Sequence, residues 1–262
     1  MEIKYEQKYI AFLDVLGFSS LVESNNKEKL EKYFSILEEA FKHLDNDRKN
    51  IKKLIISDSI ILTTPDTEEN FLHIITAIRF LQAALAPHGI WIRGGFTFGD
   101  VYDDNDKNII VGKGYIRAYL LEQQAVYPRV IIDPSILAKK NLNRKQFYER
   151  YDDHKLRNPL SFKRIHDYDF YNHKRYTQDD AIFICYASTV IVPCFNCDDI
   201  ESIEDTYGYI RKGLYGEQKH YHKYLWLKKY FLECLEEINM YADNNFSQKA
   251  SLEKLIRDFT AL

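Results

Sequence analysis

The sequence lacks the segments that send a protein to or through a membrane. No run approaches the roughly 20 apolar residues that a bilayer-spanning helix needs. The N-terminus, MEIKYEQKYIAF, carries acids and has no long apolar centre, so it does not have the pattern of a signal peptide. We therefore expect a cytoplasmic protein with no membrane partner.

A strong net charge is missing as well. The 262 residues carry a formal net charge of −3. A protein that binds nucleic acid over a generally basic surface would be positively charged, so we expect no nucleic-acid partner. A local basic patch is the alternative that this charge leaves open.

Cysteine is scarce, and its spacing completes no known site. The chain has four cysteines: Cys185, Cys194, Cys197 and Cys234. The segment CFNC has the spacing of half a zinc site, but no second CxxC and no close pair of histidines accompanies it. In a cytoplasmic protein such residues are typically reduced thiols, and we predict a structural role for them.

Apolar residues make up 45% of the chain, which is enough for a substantial core. Up to residue 140 the patterns predict a strand at 8–14, two helices, a hairpin at 51–65, and then a helix, a strand, a helix and a strand. This order is typical of an α+β sandwich in which helices cover one face of an antiparallel sheet. We divide the chain into a core, residues 1–140, and a C-terminal extension, residues 141–262, packed on it.

The extension has a different texture. Residues 141–159 are polar and predict a loop-rich segment, and the apolar runs of residues 179–193 predict one strand or a hairpin. Residues 198–262 predict helices, and no repeat or low-complexity linker separates the two parts.

Two acids stand where predicted strands end. Asp14 follows the apolar run YIAFL, and Asp58 lies at the tip of the hairpin IKKLIISDSIILTTP. If the hairpin lies beside the first strand, both carboxylates emerge at one sheet edge, where they repel each other unless a cation lies between them. Mg²⁺ and Mn²⁺ prefer oxygen ligands and share them with substrate phosphates. We predict a site for two divalent ions, with turn or cap roles for both acids as the alternative.

The residues directly after Asp14 predict a place for phosphates. Gly17, Phe18 and Ser19 begin a predicted helix, and the free N–H groups at a helix start can bind a triphosphate. Together with the acids they predict a nucleoside triphosphate site of the two-metal kind.

Four motifs in order resemble class III nucleotidyl cyclases. FLDVLGFSSLV resembles the family's strand with a metal-binding Asp, IISDSIIL its hairpin with the second Asp, IRGGFTFGDVY its glycine-containing strand, and VGKGYIRAYLLE its helix with transition-state residues. The resemblance covers about residues 8–139 and implies a ferredoxin-like class III cyclase core. It implies that Asp14, Asp58 and the Val15 carbonyl hold two Mn²⁺ or Mg²⁺ ions. The ribose 3′-hydroxyl would then attack the α-phosphorus and expel pyrophosphate.

The chain departs from the family where adenylyl cyclases read their base. Leu54 takes the place of a lysine that contacts adenine, and Ile109 takes the place of its acidic companion. The helical Asn and Arg of the family correspond to Ile116 and Leu120. These differences leave two interpretations: an inactive domain, or an enzyme for another base.

A further resemblance favours another base. RAYLLE, YPRVIID and HKYLWLKKY resemble the pyrimidine cyclases of bacterial Pycsar anti-phage systems, in which cyclic UMP or cyclic CMP activates a neighbouring effector. This resemblance spans most of the chain and implies UTP or CTP as substrate, with UTP favoured. Class III sites usually form across a dimer interface, which implies a homodimer with shared sites.

Three arginines are candidates for stabilising the negative charge of the transition state. Arg117 comes first, followed by Arg93 and Arg129, and each has a surface ion pair as the alternative. A purine cyclase, a non-catalytic nucleotide-binding module and a purely structural protein also stay open.

Overall fold

The computed structural model describes residues 3–23, 27–47, 50–104, 106–151, 165–166, 181–193, 200–216, 220–241 and 249–262. Residues 6–111 contain nine elements of secondary structure among the described residues. In chain order they are β1 Glu6–Leu16, α1 Phe18–Glu23, α2 Lys27–Asp47, β2 Lys52–Ile56, β3 Ser59–Pro65, α3 Glu68–Leu85, β4 Trp91–Asp104 and β5 Ile109–Val111, with a 3-10 turn Ala86–His88 between α3 and β4. Thr67 caps α3 through its side chain, which accepts a hydrogen bond from the Asn70 N–H.

The remaining elements include the helical extension. They are α4 Lys113–Gln124, β6 Val130–Ile132, α5 Pro134–Lys139, α6 Arg144–Tyr151, β7 Ile165–His166, β8 Phe183–Ile184, α7 Ala187–Ile191, α8 Glu201–Leu214, α9 Tyr221–Tyr241 and α10 Lys249–Ala261. No helix among these described segments has the length and apolar content to cross a bilayer.

The sheet has the strand order β2-β3-β1-β4-β6-β8-β7, and β5 pairs with β4 outside this path. Its first four strands are antiparallel and have the ferredoxin-like order. β6 then joins β4 in parallel, and β8 joins β6 antiparallel. The predicted α+β fold with a helix-covered sheet and a mainly helical C-terminal part is confirmed.

Helices lie on both faces of this sheet, whereas the sequence predicted one. Side chains alternate along β1, so that Ala11 and Leu13 pack into the main core with α2 and α3. Ile10 and Phe12 point to the other face, where they pack against Ala118 of α4. The α4 helix therefore covers part of the second face, and Asp14 lies on that face.

The extension differs from the prediction in two short segments. Residues 144–151 form α6, whose Phe147 and Tyr151 are buried in the main core. Where the sequence predicted a strand or hairpin at 179–193, the described residues form a strand of two residues, β8, followed by α7. The Tyr230 hydroxyl accepts hydrogen bonds from the N–H groups of Tyr186 and Ala187 at the start of this helix. Short apolar runs do not distinguish strand from helix by themselves.

The core and the extension share packing. β8 extends the core sheet, and a second apolar cluster joins Trp91 at the start of β4 to the extension helices through Trp226 and Tyr230. The boundary at residue 140 stays a prediction. Cys185 and Cys234 are buried free thiols, and Cys194 and Cys197 lie outside the described residues.

Candidate functional site

Strand β1 carries Asp14 near its C-terminal end, between two neighbours. Asp14 stands opposite Ser59 of β3 and opposite Arg93 of β4. The strand ends at Leu16, and Gly17 follows with φ 81, a left-handed conformation that glycine adopts without a Cβ penalty. The chain therefore turns sharply directly beyond Asp14.

The β2–β3 turn places Asp58 beside this acid. Ser57 and Asp58 form the tip, and the Val15 N–H donates a hydrogen bond of 3.1 Å to the Asp58 carbonyl. The hairpin tip is thereby fixed to the end of β1. The structure brings Asp14, Val15 and Asp58 together at one edge of the sheet.

Arg93 lies between two carboxylates at this edge. Its Nε donates to Asp14 Oδ2 at 3.0 Å and lies 2.6 Å from Oε1 of Glu122 on α4. Glu122 is buried, and sequence reasoning missed it. A signal was present, because Glu122 follows Ala118 by four residues on the buried face of the helix.

Glycine in β4 allows this close approach of α4. A Cβ on Gly95 would lie 2.5 Å from the carbonyl oxygen of Ala118. Any larger residue would push the helix away from the strand. Gly95 therefore keeps Glu122 within reach of Arg93.

The electrostatics of the site show an excess of negative charge. Burial raises the pKa of Asp14, the Arg93 guanidinium opposes this, and the charge of Asp58 raises the pKa further. Burial also raises the pKa of Glu122. The Arg93 guanidinium acts to lower this pKa, whereas the charges of Asp14 and Asp58 raise it further. Asp14 and Glu122 thus share Arg93 beside the charge of Asp58, and a further cation would be stabilised here.

The donor set fits a divalent ion of the Mg²⁺ type. In the part of the chain that the structure describes, no group of three or more His, Cys, Asp or Glu side chains is placed to hold a metal ion together. Mg²⁺ usually takes one or two carboxylate ligands from the protein and completes its coordination shell with water and substrate phosphates. Asp14 and Asp58 can provide the two carboxylates. The buried Tyr33 hydroxyl has no hydrogen-bond partner among the described residues. Burial raises the pKa of Tyr33, and the nearby charges of Asp58 and Asp14 raise it further. This hydroxyl is therefore available to bind a water molecule of the metal's coordination shell.

The other predicted phosphate and base residues lie around this edge in different environments. Gly17 and Ser19 are exposed, whereas the Phe18 ring is buried against Tyr33, which leaves only its backbone for a ligand. Leu54 is half-buried opposite Ile61, on the face that carries Phe12.

Arg117 is not brought to Asp14 within one chain. Its guanidinium pairs with Asp133, and Arg117 Nη2 donates a hydrogen bond of 2.8 Å to Asp133 Oδ1. Asp133 also accepts a hydrogen bond from the Thr97 hydroxyl. Thr97 lies four residues along β4 from Arg93, which is about 13 Å of extended strand. Arg117 therefore belongs to an ion pair with Asp133, which lies further along β4 than the pair of Arg93 and Asp14.

Arg129 lies in an aromatic environment. Its side chain is fully buried, and its guanidinium carbon lies 5.4, 5.6 and 6.0 Å from the ring centroids of Tyr127, Phe183 and Trp226. This is a cation–π environment between the core and the extension. The contact of Arg129 with a substrate stays a prediction, and Arg93 is the arginine that pairs with Asp14.

Solved structures of cyclase catalytic domains are similar to this chain. They include the adenylyl cyclase CyaB from P. aeruginosa, with 17% identity over 53% of this chain and 84% of that chain and a TM-score of 0.40. The guanylyl cyclase domain of the RhoGC fusion protein from Blastocladiella emersonii has 18% identity over 53% and 87% and a TM-score of 0.42. The catalytic core of a rhodopsin-guanylyl cyclase with converted specificity, in complex with ATPalphaS, has 16% identity over 70% and 98% and a TM-score of 0.44.

No family model matches the chain, and no curated protein matches it either. The structural similarities are low in identity and in TM-score.

Proposed function

We propose that the protein is a class III nucleotidyl cyclase that converts UTP, or CTP, to the 3′,5′-cyclic monophosphate and diphosphate. One observation carries the proposal: Asp14 at the end of β1 and Asp58 at the hairpin tip lie together, and the Val15 N–H joins the two segments. Adjacent carboxylates at an open sheet edge suit two divalent ions shared with a triphosphate.

In the proposed reaction the ribose 3′-oxygen forms a bond to the α-phosphorus, the bond to the β-phosphate oxygen breaks, and the hydroxyl proton leaves to solvent. Asp14, Asp58 and the Val15 carbonyl would hold divalent ions, which when bound supply Lewis-acid stabilisation of phosphate charge. Arg93 orients the Asp14 carboxylate through its 3.0 Å hydrogen bond. Its guanidinium also adds positive charge beside the reacting phosphate.

The choice of a pyrimidine base rests on two features. Leu54, half-buried and apolar, offers no hydrogen bond where an adenine-reading lysine would be. The segments that resemble the Pycsar pyrimidine cyclases also contact each other, since the Tyr127 and Trp226 rings stack at 5.5 Å. We propose a cytoplasmic role in anti-phage defence, in which the cyclic nucleotide reaches a downstream effector.

The test is product formation from the four nucleoside triphosphates with Mn²⁺, with products separated by mass. We expect cyclic UMP or cyclic CMP from the wild type and none from Asp58→Ala. Faster turnover of ATP or GTP would select a purine cyclase instead. Nucleotide binding without any product would select a non-catalytic module.

We also propose a homodimer with shared sites, built on the exposed face of α4. Ile116, Tyr119 and Leu120 are 57%, 41% and 50% exposed on this helix, and contiguous exposed apolar side chains mark interaction surfaces. Arg117, on the same helix, is then a candidate for the site of the other copy. Leu120→Arg should give a monomer in sedimentation and lose turnover. Met240→Arg, at an exposed apolar residue of α9, is the control and should stay dimeric and active.

A further inference from the structure

A cavity of about 560 Å³ opens directly beyond the acids. Val15, Gly17 and Phe18 form one wall, where β1 turns into α1. The other walls come from α2, from the segment before β4 and from α8 and α9 of the extension. The cavity therefore joins the end of β1 to the C-terminal helices.

The charged side chains in this lining are basic. They are Lys29 and Lys32 on α2 and Lys212 on α8, and no Asp or Glu is among the described residues that line it. Lys29 and Lys32 are three residues apart and so lie on one face of their helix. We call this space the lysine cavity.

A second cavity shows that basic lining is not general in this molecule. It has about 680 Å³ and lies between α3, α7 and α8, where Glu201 and Asp205 line it together with Arg79. Its mixed charge does not favour an anion. The lysine cavity is different in sign and adjoins the acids.

The positive charge continues toward Asp14. Lys223 of α9 lines a small adjoining space of about 80 Å³ that shares Leu16 and Gly17 with the lysine cavity. It is close enough to Asp14 for its charge to act on that carboxylate. A path of cations thus runs from the acids into the lysine cavity.

We propose that the lysine cavity binds the β- and γ-phosphates of the nucleotide, with Lys212 supplied by the extension and Lys32 by α2. This inference rests on the proposed function, which places the α-phosphate at Asp14 and Asp58. A lysine ammonium binds phosphate as a compact point charge on a flexible stem. The extension is therefore part of the substrate site.

The experiment uses the full-length protein and tripolyphosphate, which has the phosphate chain without base or ribose. Binding is measured by calorimetry in EDTA, so that metal does not contribute. The double variant Lys32→Gln/Lys212→Gln should bind tripolyphosphate about tenfold more weakly than the wild type, with a similar rise in KM for the nucleotide and a smaller change in kcat. Both lysines are exposed, and an unchanged circular dichroism spectrum will show that the variant is folded.

The matched control is Lys42→Gln/Arg211→Gln, which removes one charge from each of the same two helices outside the lining. It should bind tripolyphosphate within about twofold of the wild type. Equal binding by the wild type and the lysine double variant would overturn the inference, whatever the turnover.

Failure of the cyclase proposal would look different. Asp58→Ala should abolish turnover and keep tripolyphosphate binding, because Asp58 is not in the lining. If no nucleoside triphosphate gives product but the lysine double variant still loses tripolyphosphate binding, the cyclase proposal falls. The lysine cavity then stands as a polyphosphate site.

Discussion

The two ends of the paired strands β1 and β4 carry carboxylates in opposite electrostatic situations. At the end where β1 finishes, Asp14 and Glu122 share Arg93 beside Asp58, and the pKa values of Asp14 and Glu122 are raised. This end is short of positive charge. The shortage is local, because the lysine cavity beside it carries several cations.

At the other end, the single negative charge of Asp103 on β4 is paired with two lysines, and its carboxylate also accepts a hydrogen bond from a threonine. It accepts from Lys8 Nζ at 2.7 Å, from Lys52 Nζ at 2.8 Å and from the Thr63 hydroxyl at 2.6 Å. Burial acts to raise the pKa of Asp103, but the hydrogen bonds from Lys52, Lys8 and Thr63 outweigh it and lower the pKa.

The comparison separates a structural ion cluster from the candidate binding site at the other end of the same strand pair. A carboxylate whose partners come from the protein stabilises the fold and has no need of a ligand. Carboxylates that repel each other cost stability, and an added cation relieves that cost. Substitutions at the two ends, and addition of a metal ion, should therefore have different effects.

Asp14→Asn should reduce cyclic nucleotide formation about 1000-fold, because a lost metal ligand removes several kcal/mol of charge stabilisation. The free energy of unfolding should stay within about 1 kcal/mol of the wild type, since the change also removes repulsion. Turnover assays with Mn²⁺ and urea unfolding measure the two quantities. A stable fold with undiminished turnover would contradict the role of Asp14.

Asp103→Asn should do the reverse and destabilise the protein by about 3 kcal/mol at neutral pH, because it removes the buried counter-charge of Lys8 and leaves only the exposed Glu6. Since the folded-state pKa of Asp103 is lowered, its contribution is present above the unfolded pKa and is lost as the pH falls through the folded pKa. Urea unfolding across this range should show the two proteins converging toward low pH. A constant difference would show that ionisation of Asp103 is not the cause.

Addition of Mn²⁺ should stabilise the wild type by about 2.7 kcal/mol at a hundredfold excess over Kd, since the ion binds only the folded state. Thermal unfolding with and without the metal measures the shift. Asp103→Asn should keep the shift and Asp14→Asn should lose it. An equal shift in all three proteins would place the metal elsewhere.

Glu122→Gln should give the smallest effect, a loss of turnover of about tenfold, because Glu122 acts by holding Arg93 and does not touch the substrate. Gln keeps the shape of the side chain and removes one of the three negative charges. Steady-state kinetics should show the fall in kcat with a KM close to that of the wild type. A loss as large as that of Asp14→Asn would make Glu122 a ligand.

The parts of the fold that depend on local pattern were predictable from the sequence. The apolar run before Asp14 and the polar tip Ser57–Ser59 predicted β1 and the hairpin, and the structure pairs them side by side. Each of these two elements, including the acid at its end or tip, can be predicted from a short segment of the sequence.

The partners across elements were not predictable in this way. The contact between Arg93 and Glu122 joins β4 to α4, and it depends on how closely that helix approaches Gly95. Arg129 was indistinguishable from a surface arginine, because its burial comes from rings that lie up to 97 positions further along the chain, at Trp226. Such contacts are products of tertiary packing.

The setting of Arg129 has a consequence for dissecting the protein. Of the three rings around its guanidinium, only Tyr127 precedes residue 140, and Phe183 and Trp226 come from beyond it. Expressing the first 140 residues alone would remove two of the three rings around the Arg129 guanidinium and leave β6 without its neighbour β8. We therefore expect a fragment cut at that position to be less stable than the full-length chain.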